Sequence, residues 1–329
     1  MLLKSSSDYP RREPRYSSSP TALGSLFLVA LLSTLAVGAD EDISFRETPA
    51  GEIRYTSGDL IYLEGNHNSK WVGRYWAADG RISFPNWHFA APAFQLSIVT
   101  EPDSEQVDLD AGWRQISAET TTPVGREKLH AVVTLKHDKV PITVKLHTLL
   151  DETPVLVRYL EITSESQTPF AVGRVSPFSG RMWPRVHHFT LGHQTRSDAL
   201  HEGWFHWRTM PAGKTVVSSN QGNGQDDPFV IVRNDVRGEY FICHFAWSAN
   251  WAFTFEKNQD VNHPAAGLSF RVEPIAKDLL RVIEPGETIV TPAVHLGLVA
   301  GTLDDAVQAM HQHVRQSVRP PSGPHANLI

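Results

Sequence analysis

The chain has 329 residues, room for one large domain or two ordinary ones, and its 41% hydrophobic and 20% charged residues are those of a globular protein. This composition excludes wholesale disorder, a collagen-like repeat and a polytopic membrane protein. A formal charge of −6 leaves no basic surplus for phosphates, so no nucleic-acid partner is expected, and a single cysteine, Cys243, excludes an internal disulfide and a cysteine-rich zinc site.

Residues 1–20 are rich in Ser, Pro and Arg, and the 19 residues from Thr21 to Ala39 carry no charge. The run closes on Ala36-Val37-Gly38-Ala39, small residues at signal-peptidase spacing, before Asp40, Glu41 and Asp42. Residues 1–39 therefore read as a secretory signal peptide, with a single-pass N-terminal anchor as the alternative. Either way the positive flank places the rest outside the cytoplasm, periplasmic or secreted.

From about 43 to 299 the pattern is short alternating segments broken by turns such as Asp151-Glu152-Thr153-Pro154 and Glu284-Pro285-Gly286-Glu287. Val155 to Ile162 is apolar on both faces apart from Arg158 and Glu161. It reads as a central strand with Val132–Leu135 and Ile142–Leu150 as neighbours. Phe241, Cys243, Phe245 and Trp247 share one face, and after Ala249-Asn250 the pattern resumes with Trp251, Phe253 and Phe255. A hairpin or bent strand with one aromatic face is expected there, with Trp247 and Trp251 in the core. No internal repeat and no Gly-rich phosphate loop is found, and Gly222-Asn223-Gly224 reads as a turn.

One helix closes the pattern. Leu303, Val307, Met310, Val314 and Val318 form a stripe, Thr302 caps it, Asp304 and Asp305 lie in its first turn, and Pro320-Pro321 stops it. The expected organisation is a β-domain over 40–300, a helix within 301–319 and a tail at 320–329. A β-region this long without repeats favours one large double sheet.

The 16 histidines lack metal-ligand spacing: no helical i,i+4 pair occurs, and His311 and His313 fall on different sides of the last helix. No metal or cofactor is expected. Asp226-Asp227, Asp304-Asp305 and Asp151-Glu152 are neighbours along the chain, whereas glycoside hydrolysis needs carboxylates opposed across a cleft. No Gly-x-Ser-x-Gly elbow exists and Cys243 lacks a protease context. Nine Trp and 15 Phe against seven Tyr suit a thick core or a sugar-stacking surface. Trp204 and Trp207, flanking His206 in a polar-aromatic run, are the candidates for sugar contact, with Trp87 and Asn250 beside them.

Several stretches taken together resemble the N-terminal β-supersandwich domain of glycoside hydrolase family 36, the bacterial-type α-galactosidases. They are Asp151 to Thr163 (a strand ending Glu161-Ile162-Thr163), His188-Phe189-Thr190 followed by Ser218 to Gly222, Ser248-Ala249-Asn250-Trp251, Glu284-Pro285-Gly286-Glu287 through Thr291-Pro292, and Met310 to Arg315. The resemblance implies an all-β, galactose mutarotase-like supersandwich with a C-terminal linker helix. It also implies a catalytic aspartate pair on a (β/α)₈ barrel beyond that helix. Neither barrel motif occurs here: Lys70-Trp71 is followed by Val72, and Ser179-Gly180-Arg181 is too short and too early for the Gly-rich segment. As a second departure, Phe84 to Phe94 lacks the Asp and Arg of the family segment that reaches a neighbouring subunit's site. The expected role is therefore a non-catalytic carbohydrate-binding or assembly module, with an α-galactoside, a catalytic barrel chain or further copies of itself as partners. The alternatives are a mutarotase-like sugar enzyme, using His206 with Glu202 or His244 with Glu239, and a purely structural oligomerisation domain.

Overall fold

The computed structural model describes residues 42–80, 90–101, 104–123, 125–186, 188–195, 204–220, 226–258 and 266–319. The leader at 1–39, Trp87, Glu202 and the tail at 320–329 lie outside them.

Among the described residues, twenty-three antiparallel strands make four sheets. The first runs in chain order: β1 (Ile43–Glu47), β2 (Glu52–Ser57), β3 (Leu60–His67), β4 (Lys70–Ala77) and β5 (Ala91–Pro92). Asn68 and Ser69, both with positive φ (52° and 60°), close its β3–β4 hairpin, the geometry that matches strand twist in a two-residue turn. A second sheet joins β6 (Gln95–Val99), β7 (Val107–Asp108), β12 (Phe170–Ser176) and β21 (Arg281–Ile283). A third joins β13 (Phe178–Met182), β16 (Gly213–Ser219), β19 (Trp251–Lys257) and β20 (Leu268–Pro274).

The ten-stranded fourth sheet spans the domain. It is built from β8 (Trp113–Thr121), β9 (Leu129–His137), β10 (Ile142–Leu150), β11 (Val155–Ser164), β14 (Phe189–Thr195), β15 (Trp204–Thr209), β17 (Asp226–Asn234), β18 (Glu239–Phe245), β22 (Thr288–Val290) and β23 (Val294–Ala300). Its order is β15-β14-β17-β18-β23-β11-β10-β9-β8, with β22 pairing the second half of β11 where β23 leaves off. The apolar run at Val155 is central, as expected, but its neighbours are β10, β22 and β23. The Val132–Leu135 strand lies one place further out, on β10.

Alternation assigns the faces of the large sheet. Val133, Leu135, Val144, Leu146, Leu156, Leu160, Phe241, Cys243 and Leu296 point inward into one continuous core shared with the three smaller sheets. The other face is covered in part by a helix, α1 (Leu303–His313), through Ala306, Ala309 and Met310 over Val155, Ile231, Ile242 and Val299. Thr302 Oγ1 accepts from Asp305 N, and Asp305 Oδ2 accepts from Thr302 N, a reciprocal cap on the first turn. The chain is thus an all-β supersandwich with a C-terminal helix.

Three expectations change. The aromatic strands at Phe241 and Trp251 are not a hairpin: β18 lies in the large sheet and β19 in the third sheet. They face each other across the core, with Phe241 and Phe255 rings edge-on at 6.0 Å. Trp251 is buried as expected, but Trp247 is 39% exposed. The β18 alternation stops at Phe245 because Trp247 N donates back to Phe245 O, which turns the indole outward. The helical stripe also ends early. His313 is buried while Val314 and Val318 are exposed, because the α-helix gives way to a π-turn over Val314–Val318 that rotates the face.

Candidate functional site

Strand β15 forms one edge of the large sheet, and all six of its residues are exposed, Trp204 at 61%, Phe205 at 40% and Trp207 at 39%. Register with β14 pairs Trp204 with Thr195, His206 with His193 and Trp207 with Gly192. Alternation therefore sets Trp204 and His206 on one face, and Phe205 and Trp207 on the other. The Phe205 and Trp207 rings meet edge-on at 5.2 Å directly over Gly192, whose absent side chain makes room for them. A Cβ there would lie 2.6–2.8 Å from both rings. Gly192→Val is expected to push the two rings off the strand and cost about 1–3 kcal/mol. Urea denaturation and tryptophan emission would register both effects. Trp204 and Trp207 are thus two platforms on opposite faces.

Asn250 lies elsewhere, at the start of β19. Its carbonyl accepts from the Trp247 indole N–H at 3.1 Å and from Ile275 N at 3.0 Å. With its N–H spent, Trp247 offers only its ring, which walls an open cleft of about 400 Å³ over Val172, Val175, Leu280 and Pro274 with Arg281 at the rim. The His244–Glu239 pair does not form. The two residues are five apart on β18 and so face opposite ways, and Glu239 accepts from the Trp183 indole at 2.5 Å.

Among the adjacent acids, Asp151, Glu152 and Asp305 are committed to structure. Asp151 Oδ1 accepts from Thr153 N and Oγ1, at 3.1 and 2.5 Å. Its Oδ2 accepts from His313 Nδ1 at 2.7 Å and Ser317 Oγ at 2.5 Å. Glu152 pairs with Lys128, and Asp305 holds the helix cap. No opposed carboxylate pair across a cleft is formed by them.

The outer face of the large sheet carries what the spacing of the histidines did not reveal. His313 Nε2 meets His295 Nδ1 at 2.8 Å, completing a chain from Asp151 through His313 to His295. Across the row, His130 Nε2 meets His147 Nδ1 at 2.9 Å, and His147 Nε2 meets Glu161 Oε2 at 3.1 Å. Lys145 Nζ lies 3.0 Å from the same Glu161 oxygen, and the His147 ring stacks on Tyr159 at 4.5 Å. Two carboxylate–imidazole–imidazole chains therefore share one sheet face. Burial lowers the affinity of His295 for a proton, the neighbouring His313 and His244 lower it further, and Asp151 opposes them only in part. The result is a pKa of about 3. Burial likewise lowers His244, His147 and His130. Burial pushes the Asp151 carboxyl up, but the bonds from His313, Ser317 and Thr153 hold it below the usual carboxylate range. Among the described residues no group of three or more His, Cys, Asp or Glu is arranged to hold a metal ion.

Residues 89–269 match the family model described as the glycosyl hydrolase family 36 N-terminal domain. Among solved structures, the chain is similar to the galactosidase domain of the α-galactosidase-sucrose kinase AgaSK, at 14% identity and a TM-score of 0.70 over 83% of this chain and 44% of that one. It is similar to the GH36 α-galactosidase AgaB from Geobacillus stearothermophilus, at 15% identity and a TM-score of 0.70 over 85% and 44%. The α-galactosidase from Lactobacillus brevis follows at 13% identity and a TM-score of 0.67 over 83% and 42%. The chain spans less than half the length of each. No curated protein matches it significantly. The family model covers more than half of the chain, and the same supersandwich recurs in these enzymes: the chain belongs to the glycosyl hydrolase family 36 N-terminal domain family.

Proposed function

We propose that this chain acts outside the cytoplasm as a non-catalytic module of a family 36 glycoside hydrolase system, binding carbohydrate on the exposed aromatic strand β15. The observation that carries the reading is the exposure of Trp204 and Trp207 on a strand otherwise fixed by its ladder to β14. A flat indole held rigidly in water offers an apolar plane to the C–H face of a pyranose, and neighbouring polar groups such as His206 can meet hydroxyls. The non-catalytic part is supported by the commitment of Asp151 to a buried network and Asp305 to the helix cap, since retaining hydrolysis needs two carboxylates facing one glycosidic bond. The solved family 36 structures include G. stearothermophilus AgaA complexes with raffinose and stachyose, which names the ligand class to try first.

Titrating the full chain with raffinose and stachyose by calorimetry is expected to give saturable heat. Trp204→Ala and Trp207→Ala should each weaken binding about tenfold, the effect of losing roughly 1.4 kcal/mol of stacking. Absence of saturable heat with either sugar overturns the carbohydrate reading. Self-association lost in the same two variants, measured by light scattering, would assign β15 to assembly instead, since an open strand edge also accepts a second strand.

A further inference from the structure

We propose that the open edge of β22, with the cleft beside it, docks an extended, uncharged, apolar segment of a partner protein, which joins the large sheet by backbone pairing. The ladder carries the argument. β23 pairs β18 from Ala300 opposite Glu239 to Val294 opposite Phe245, and Ala246 N still donates to Ala293 O at 2.9 Å. β22 continues the line of β23 along β11, but β18 does not follow it. Trp247 N donates to Phe245 O at 2.7 Å, and the chain turns away. On the far side of β22 from β11, no described strand is paired with it. The backbone alternation shows which groups face that side. Ser164 N donates to Glu287 O at 3.0 Å and Thr291 N to Leu160 O at 2.9 Å, with Ile289 opposite Ile162 between them. Residues 287, 289 and 291 therefore turn their backbone toward β11, and Thr288 and Val290 turn theirs away from it. A row of outward N–H and C=O groups continuous with an existing ladder is what an added strand pairs with, and a sugar or an apolar small molecule would leave it unused.

The cleft sets the chemistry of the segment. Val172 and Val175 of β12, Pro274, Leu280 and Pro292 line it, together with the Trp247 ring and with Val290, which is 60% exposed. Leu279 and Val282, chain neighbours of lining residues, are exposed as well, so the apolar surface extends past the cleft. Arg281 is the one charged residue of the lining, and its Nη2 donates to Glu287 Oε1 at 2.5 Å. The Thr291 hydroxyl accepts from Leu160 N at 2.9 Å. A charged insert would therefore meet no counter-charge, and the matching segment is uncharged and apolar on its inward face. The volume of about 400 Å³ lies in the range of pockets that bury a ligand. The site is independent of the sugar reading, because β15 lies at the edge of the same sheet, on the other side of β18 and β23 from β11.

Fluorescence anisotropy of labelled, end-capped hexapeptides titrated with the full chain tests this. The probes alternate Thr with Val, with Leu or with Phe, and the tightest is made again with N-methyl groups on its odd or on its even amides. Saturable binding is expected for at least one probe. One methylation pattern should weaken it about tenfold or more by removing ladder bonds, and the other should leave it nearly unchanged. Val290→Pro removes an N–H that faces away from β11, so it should weaken the same probe about tenfold with a urea midpoint close to the parent's. Trp247→Ala should weaken it about tenfold through the lost ring contact. The methylated pair is measured on the parent chain, so the test stands whether or not Val290→Pro folds. Absence of saturable binding by every probe overturns the proposal. Equal binding of the parent peptide and both methylated forms overturns it too, as apolar adsorption without a ladder. Saturable heat with raffinose that Trp247→Ala abolishes would give the cleft to a sugar, self-association that Val290→Pro abolishes would give the edge to a second copy, and either result overturns it.

Discussion

Glu64→Ala is expected to destabilise the chain by about 3–5 kcal/mol, because it strands a guanidinium in the centre of the core. Arg158 on β11 and Glu64 on β3 are both fully buried. The fork is bidentate, Nη1 to Oε2 at 2.6 Å and Nη2 to Oε1 at 2.9 Å, and Thr148 Oγ1 accepts from Nη2 at 2.8 Å. Tyr55 and Tyr62 donate their hydroxyls to the two Glu64 oxygens at 2.7 and 3.1 Å, and Phe178 places its ring 4.7 Å from the guanidinium carbon. Burial lowers the proton affinity of Arg158, but the Glu64 charge, the two tyrosines and the bonds to Glu64 together more than reverse that, and the guanidinium stays charged. Burial and the same carboxylate hold Tyr55 and Tyr62 protonated. The network bolts the first sheet onto the middle of the large one. A urea midpoint for Glu64→Ala within about 1 kcal/mol of the parent would mean that water reaches the site and the network is incidental.

The stored cost is that of isolation, so removing the charges together should cost less than removing either. Arg158→Met with Glu64→Leu still leaves two buried tyrosine hydroxyls without an acceptor, each worth about 1–3 kcal/mol. Adding Tyr55→Phe and Tyr62→Phe should recover most of the loss, a coupling that a multiple-mutant cycle measures directly.

Much of this architecture is legible along the chain because burial on a sheet writes itself as alternation. Val155 to Ile162 announces a doubly covered strand, and Thr302 with Asp305 announces the helix start. The face of Trp247 is not legible, since a single backbone bond from Trp247 N to Phe245 O ends the alternation two residues before the pattern does. Nor is the partnership of Phe241 with Phe255, because periodicity fixes a face and says nothing about which sheet that face meets. The histidine chains are hidden for the same reason. His130 and His147 meet only through the β9–β10 register, and His295 meets His313 only after 18 residues of turn and helix fold back. Counting outward positions could have flagged His147, His295 and His244 as polar residues on strands with apolar outer neighbours. On β15 the signal is half legible: His206 and Arg208 mark the face of Trp204 as polar, but the Phe205 and Trp207 face reads as core in the sequence, and the structure exposes both.

Stability should fall steeply on mild acidification. An unfolded chain protonates histidine near pH 6.5, whereas His295 in the folded chain resists until about 3. Its contribution is therefore complete above about pH 6.5 and is lost as the pH drops toward 3, about 4–5 kcal/mol over the whole window if the fold stays closed. His244, His147 and His130, all lowered by burial, add losses of the same sign over the upper part of that window. Asp151 and Glu161, held below the usual range by their partners, contribute above about pH 4 and fail only below it. Urea midpoints at pH 7.5, 6.5, 5.5 and 4.5 should thus stay nearly level down to about 6.5 and decline below it, and His295→Asn should flatten that decline. A midpoint that holds steady from 7.5 to 4.5 would show that these imidazoles protonate in place.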